Sequence, residues 1–425
     1  MTEPAAARPA IDEVALAEIG ARLADADAAL ARDYPGPAPG RQPVHTVYVP
    51  ADRFARGLAA AWGHAALAAL DSHAPDPAAL ATATGFDAAA VAVAWPLVRA
   101  KLASEPIEDL RVDFEDGYGI RSDDEEDAAA RAAVATITAD LADGSAPGHV
   151  GLRFKSLEAP TRRRGLRTLE RVVGGLVEAG GVPAGFKITL PKVTSVDQVE
   201  AMVDVCGRLE ATYGLAAGRL SFEVQVETPQ AVLGSDGTAT VARMIHSSAG
   251  RCDGLHFGTY DYTAGLGIAA TYQRLDHPAA DHAKSVLQLA AAGTGVPVSD
   301  GSSNVLPVGD RQEVHAAWAL HAGLVRRSLE RGLYQGWDLH PAQLATRYLA
   351  TFVFFRAGLP DALRRLSDYA ARREDGVLDE PATAQALASY VLRAVDCGAA
   401  TADEVLLDSG LDRDRLAALV RRGPT

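Results

Sequence analysis

Short apolar runs recur along the chain with longer helical patterns between them. Strand-like runs lie at 44–49 (VHTVYV), 109–114 (DLRVDF), 149–154 (HVGLRF) and 185–190 (GFKITL). Four more lie at 221–226 (SFEVQV), 252–257 (CDGLHF), 294–298 (TGVPV) and 334–339 (YQGWDL). Segments 124–142, 162–179, 195–213, 238–248 and 311–331 have helical length and spacing. Eight strands alternating with helices predict a parallel sheet closed into a (β/α)8 barrel, an α/β fold. Ahead of it, Ile11, Val14, Leu16, Ile19, Leu23 and Leu30 mark one face of a helix over 11–33, and a Pro/Gly segment at 35–40 ends it. Past Pro341 the strand signal fades, and 342–357, 359–372, 382–396 and 410–422 read as helices. The expected organisation is an N-terminal helix and linker (1–40), a catalytic barrel (41–345) and a C-terminal helical region (346–425).

Composition narrows the function. Forty-one Lys+Arg against 55 Asp+Glu give a net charge of −14, which argues against a nucleic-acid or anionic-membrane binder. No apolar run approaches the roughly 18 residues of a membrane span. The first ten residues show no secretory pattern. Cys206, Cys252 and Cys397 are sparse and far apart, which fits a reducing cytoplasm and no zinc spacing. Lysine is rare: only Lys101, Lys155, Lys187, Lys192 and Lys284 occur.

Catalytic residues of a parallel barrel follow the C-terminal strand ends. Those ends carry Asp52, Asp113, Glu115, Asp116, Arg153, Lys155, Lys192, Glu227, Asp261, Asp300, Asp338 and His340. Glu227 and Asp261 each follow an apolar strand. Two carboxylates meeting at a mouth repel unless one is protonated or a cation lies between them. Without a His or Cys cluster nearby, an oxygen-bound hard cation is expected, Mg2+ before Zn2+. The alternative is that each caps a helix or pairs with an arginine. Arg153 suits a substrate carboxylate or an ion pair with Glu115 or Asp116. Lys192 raises a Schiff-base amine, but acidic neighbours favour a protonated ion-pair partner. Ser122-Asp-Asp-Glu125 matches a capping box, so the acidic run 123–127 is expected as a solvated first helical turn. Arg162–Arg164 is expected to be exposed, and His45 and His256 to be satisfied interior groups.

VYVPADRF, VDFEDGYG, GLRFKS, ITLPKV, VQVETPQAVLG, DGLHFGTYDYTAGLG and WDLHPAQL occur in that order. Together they resemble the citrate lyase beta-subunit-like branch of the HpcH/HpaI aldolase/citrate lyase family, over roughly residues 44–345. DFED, the GxxDY form and DEPATAQ at 379–385 are also similar to malate synthase, a relative in the pyruvate/phosphoenolpyruvate barrel superfamily. The resemblance implies a (β/α)8 barrel binding Mg2+. Its metal ligands fall on Glu227 and Asp261, and its carboxylate-binding arginine on Arg153. Its second-strand acidic pair falls on Glu115 and Asp116, with Lys192 and Thr259 as further substrate contacts. The catalytic base of the malate synthase C-terminal segment aligns with Glu380, or with Asp379 after a shift of one. Three departures stand out: Lys155 replaces an Asn, Tyr260 a Glu, and Glu380 an Asp.

The activity implied is a Mg2+-dependent carbon–carbon lyase or condensing enzyme. It would act on a 2-oxo acid or β-hydroxy acid, with or without a CoA thioester, through a stabilised enolate. Relatives often assemble as homo-oligomers and lend the C-terminal segment to a neighbour. Two other readings use the same barrel: an acyl-CoA thioester hydrolase and a non-catalytic small-acid-binding protein.

Overall fold

The computed structural model describes residues 11–38, 40–371 and 380–421. Eight parallel strands close into a barrel in sequential order. They are β1 (His45–Pro50), β2 (Asp109–Asp113), β3 (His149–Arg153), β4 (Phe186–Leu190), β5 (Phe222–Val226), β6 (Cys252–Phe257), β7 (Val298–Ser302) and β8 (Gln335–Asp338). Helices α1 (Glu13–Asp33), α2 (Leu58–His73), α3 (Pro77–Thr84), α4 (Ala88–Ser104), α5 (Asp123–Asp143) and α6 (Arg162–Glu178) occupy the first half. The second half carries α7 (Val196–Tyr213), α8 (Pro229–Val232), α9 (Thr240–Ser247), α10 (Thr259–Gly265), α11 (Pro278–Ala291) and α12 (Arg311–Glu330). α13 (Pro341–Ala370), α14 (Pro381–Cys397), α15 (Ala402–Ser409) and α16 (Arg413–Arg421) close the chain.

Local chemistry sets the helix ends. Ser122 and Glu125 form the expected capping box at α5, and Asp310 with Glu313 does the same at α12. Gly144 and Gly214, both left-handed, end α5 and α7. The strands alternate between two environments. In β2, Leu110 and Val112 join the buried apolar cluster shared with the helices. Arg111 instead points into the barrel, reaching Thr189 of β4 and Glu223 of β5 and pairing with Asp109. His256 meets Glu223 at 3.2 Å and accepts from the Trp337 indole at 3.2 Å. This charged, hydrogen-bonded layer stands where barrels more often stack aliphatic side chains. Burial of its charges is tolerated because each has a partner.

Two expectations need correction. β7 lies at Val298–Ser302 (VSDGS), not at 294–298; it is a polar strand whose apolar approach drew the prediction forward. The helices predicted at 342–357 and 359–372 are one, α13, which runs through Pro360, so the boundary drawn at 345 falls inside an element. One buried cluster holds Val47 of β1 together with Leu363, Val391 and Leu416, so α13, α14 and α16 share the barrel's core. The helix predicted at 410–422 forms as α16, and α15 ahead of it had no counterpart in the sequence pattern. α2–α4 and α11 had no counterpart in the sequence reading.

The N-terminal helix forms as predicted, capped by Asp12, and none of its residues is buried. Its link to the barrel runs through Tyr34, whose ring meets His246 edge-on, and Gly36, which donates to the Gly293 carbonyl at 2.8 Å. Among the described residues no single helix is long and apolar enough to cross a membrane.

Candidate active site

The turn after β2 is built around Asp113. Its carboxylate accepts from the backbone N–H groups of Glu115 (3.0 Å) and Gly117 (2.8 Å). A Cβ at Gly117 would lie 2.6 Å from Asp113 Oδ2, so this tight return needs glycine. The same carboxylate takes a fork from β3: Arg153 Nε and Nη2 each donate at 2.8 Å. Arg153 Nη1 donates to Gln225 at 3.3 Å and lies 3.7 Å from Glu115, with the guanidinium 4.8 Å above the Tyr48 ring. Arg153 therefore makes an ion pair, chiefly with Asp113 rather than with Glu115 or Asp116. Burial would raise the Asp113 carboxyl, but Arg153 holds it below the usual range.

Glu227 follows β5 and is fully enclosed. Its Oε1 accepts from the Lys192 backbone N–H at 2.8 Å, and its Oε2 from the Gln225 amide at 2.5 Å. A Cβ on Gly258 would lie 2.8 Å from the Glu227 carboxylate, so this glycine leaves the room Glu227 needs. Asp261 projects from the first turn of α10 and accepts from Lys192 Nζ at 2.6 Å. Lys192 Nζ also reaches Asp116 at 3.0 Å and Glu115 at 3.4 Å. Carboxylate oxygens of Asp116, Glu227 and Asp261 all lie within 4.8 Å of one another.

The electrostatics follow from this crowding. Burial pushes Glu227 up to about 8; Lys192 opposes the shift and Asp261 adds to it. Burial pushes Glu115 up to about 7 against the pull of Arg153, with Asp116 reinforcing the rise. Burial also acts on Asp261, but hydrogen bonds to Lys192 and Glu227 outweigh it and hold the carboxyl low. Burial would lower the Lys192 ammonium, but Glu227, Glu115, Asp261 and Asp116 raise it above its ordinary value. Such an amine is a poor Schiff-base nucleophile, as expected from its acidic neighbours.

The remaining sequence-derived residues separate. Thr259 is buried beneath the mouth, and its hydroxyl has no hydrogen-bond partner among the described residues. Lys155 bonds the Phe114 carbonyl and Glu126, each at 2.7 Å. The Tyr260 hydroxyl accepts from the Asn304 backbone at 2.7 Å. His45 and His256 are satisfied in the interior, as expected. The acidic run 123–127 is not wholly solvated: Asp127 is buried and gathers Arg164, Arg167 and Arg171. Arg164 is accordingly not exposed.

Glu380 is not brought to the mouth of its own chain. It is the exposed cap of α14, which runs antiparallel to α13: Tyr390 bonds the Phe354 and Phe355 carbonyls, and Leu387 shares a cleft with Asp361. Asp361 lies 20 residues, about 30 Å of helix, beyond Pro341 at the mouth end of α13. Further along α14, Arg393 donates to Gln42 and Gln42 to Gln335, the first residue of β8, so this contact too lies at the end of the barrel away from the mouth. Asp379 lies outside the described residues. Sequence reasoning missed Asp113 and Gln225 as organisers of Arg153 and Glu227. The alternations Asp109-Leu-Arg-Val-Asp113 and Glu223-Val-Gln-Val-Glu227 carried that signal, because every second residue of a barrel strand faces inward.

A closed (β/α)8 barrel with a buried arginine and converging carboxylates at its C-terminal mouth defines the class of protein. The chain belongs to the family described as domain of unknown function DUF6986, whose model matches residues 23–423. No curated protein matches the sequence. Among solved structures, the chain is similar to native malate synthase from Haloferax volcanii at 16% identity, covering 91% of this chain and 100% of that one, with a TM-score of 0.49. It is also similar to CitE from Mycobacterium tuberculosis in complex with magnesium, acetoacetate and coenzyme A, at 18% identity, with coverages of 84% and 99% and a TM-score of 0.48. An HpcH/HpaI aldolase/citrate lyase family protein from Burkholderia cenocepacia J2315 matches at 14% identity, with coverages of 77% and 96% and a TM-score of 0.39. These bear the names of the groups whose motifs the sequence resembles; the barrel itself rests on the strand pairing of this chain.

Proposed function

We propose that this protein is a Mg2+-dependent carbon–carbon lyase or condensing enzyme for a 2-oxo acid or β-hydroxy acid, free or as its CoA thioester. One observation carries the reading: Glu227, Asp261 and Asp116 converge within 4.8 Å at the barrel mouth. An all-oxygen, multiply anionic donor set suits a hard divalent ion. Glu227 and Asp261 would hold it, and the ion would supply Lewis acidity toward a carbonyl oxygen gaining negative charge. Arg153 keeps its charge in a buried setting, and its Nη1 edge, toward Glu115 and Gln225, would receive the substrate carboxylate. Asp113 fixes the other edge, so the guanidinium is oriented before substrate arrives. Glu115, 3.7 Å from Arg153, is the mouth carboxyl placed to move a proton. Glu380 would serve a mouth only as part of a second copy in a homo-oligomer.

A thermal-shift matrix of glyoxylate, pyruvate, oxaloacetate and their hydroxy acids, with and without CoA thioesters and Mg2+, tests the reading. The expected result is a rise in melting temperature that needs ion and acid together and is lost in Asp261→Asn. No response to any acid, with or without Mg2+, would remove it. Thiol release from an acyl-CoA without any 2-oxo acid would replace it with the hydrolase.

A further inference from the structure

Lys192 does two things to the two carboxylates proposed as metal ligands. Its backbone N–H holds Glu227 at 2.8 Å, and its ammonium holds Asp261 at 2.6 Å. To do both, its backbone takes φ of 51°, in the left-handed region that non-glycine residues rarely enter. Such a conformation persists only where its surroundings impose it. The ammonium therefore sits on Asp261, the more exposed carboxylate of the pair, with Asp116 (3.0 Å) and Glu115 (3.4 Å) also within its reach.

A divalent ion cannot share this position. Magnesium lies about 2.1 Å from a carboxylate oxygen, and the ammonium already lies 2.6 Å from Asp261 Oδ2. Two cations that close repel, and partial enclosure weakens the screening between them. Resting on the metal reading above, we infer that Lys192 is an internal counter-cation that a divalent ion must displace from Asp261. The ammonium is then kept by Asp116 and Glu115. Without the ion, Lys192 prevents the carboxylates from repelling one another; with it, the same charge opposes binding. Asp116 thus acts as the lysine's second seat and not as an ion ligand.

Titration calorimetry with Mg2+ alone, and electron paramagnetic resonance with Mn2+ alone, read this directly. Lys192→Met is expected to bind either ion about tenfold or more tightly than the wild type, because no resident cation has to leave. Its ion-free melting temperature should fall, which a purely structural lysine would also produce; the gain in affinity is what separates the two. Lys192→Gln provides a second, polar replacement should the Met variant not fold. Asp116→Asn should weaken ion binding in the wild-type background and leave it nearly unchanged in Lys192→Met. Equal or weaker affinity in both lysine variants, with binding still abolished by Asp261→Asn, would overturn the inference while leaving the metal site standing. Equal losses from Asp116→Asn in both backgrounds would make Asp116 a ligand and overturn its role as second seat. No ion bound by any of these proteins would remove the metal site, and the inference with it.

Discussion

Arg153 shows how one side chain can serve packing and recognition together. It is buried, and its fork is committed to Asp113 through two 2.8 Å bonds. Removing the charge strands the Asp113 carboxylate in an enclosed site, where a lost partner costs about 3–5 kcal/mol. Arg153→Gln is therefore expected to lower unfolding free energy in urea by that order. Arg153→Lys keeps a cation but not the planar fork, so its stability loss should be smaller while acid-dependent thermal shifts still disappear. A variant that lost neither stability nor the acid response would show that Arg153 is neither anchor nor receptor.

Elements are tied to one another by groups of the same kind, and α7 gives the clearest case. Glu210, in its last turn, bonds Arg251 through two contacts of 2.7 Å. It also accepts from Leu220 N–H at 2.7 Å and Gly218 N–H at 3.1 Å, which fixes the loop entering β5. The Arg251 bonds pull its carboxyl from 4.5 down to about 2. A depressed carboxyl contributes stability above its unfolded value and loses it as pH falls through the folded one, here between about 4.5 and 2. That contribution is on the order of 3 kcal/mol at neutral pH for a side chain only 4% exposed. Glu210→Gln should be less stable than wild type at pH 7 by that order, with the gap closing toward pH 2 in urea titrations. A gap independent of pH would place the loss in packing. The same scale explains what could be read in the sequence. Strands such as Phe186–Leu190 and Phe222–Val226 were legible because they are apolar, short and bounded by turns. β7 was displaced because Ser299, Asp300 and Ser302 are buried by partners, among them Lys284 on Asp300, and not by apolar character. α2–α4 were missed because an Ala-rich insertion shows little contrast between its faces. Of the site, Glu115, Asp116, Arg153, Lys192, Glu227 and Asp261 were marked by their strand ends. The displacement of Glu380 was hidden, because it depends on the direction in which α14 packs.

At the scale of the whole molecule, stability is distributed unevenly between the two ends of the chain. α1 buries none of its residues; Leu16, Ile19, Leu23 and Leu30 stay 47–61% exposed. A helix contributes to folding through the apolar surface it removes from water, and this one removes almost none. The C-terminal helices differ: Leu359, Leu363, Val391 and Leu416 lie in the same buried cluster as the barrel strands. Deleting residues 1–33 is therefore expected to move the melting temperature by no more than about 2 °C, whereas ending the chain at Ala370 should prevent cooperative unfolding altogether. Light scattering on the full chain and on the N-terminal deletion completes the argument. If the deletion costs much more than 2 °C and also halves the mass, α1 is covered by a second copy. An assembly that persists without α1 leaves the C-terminal helices to form the contact, the arrangement that a contribution from Glu380 to a neighbouring mouth requires. A monomer throughout would strike Glu380 from the catalytic set and leave proton transfer to Glu115.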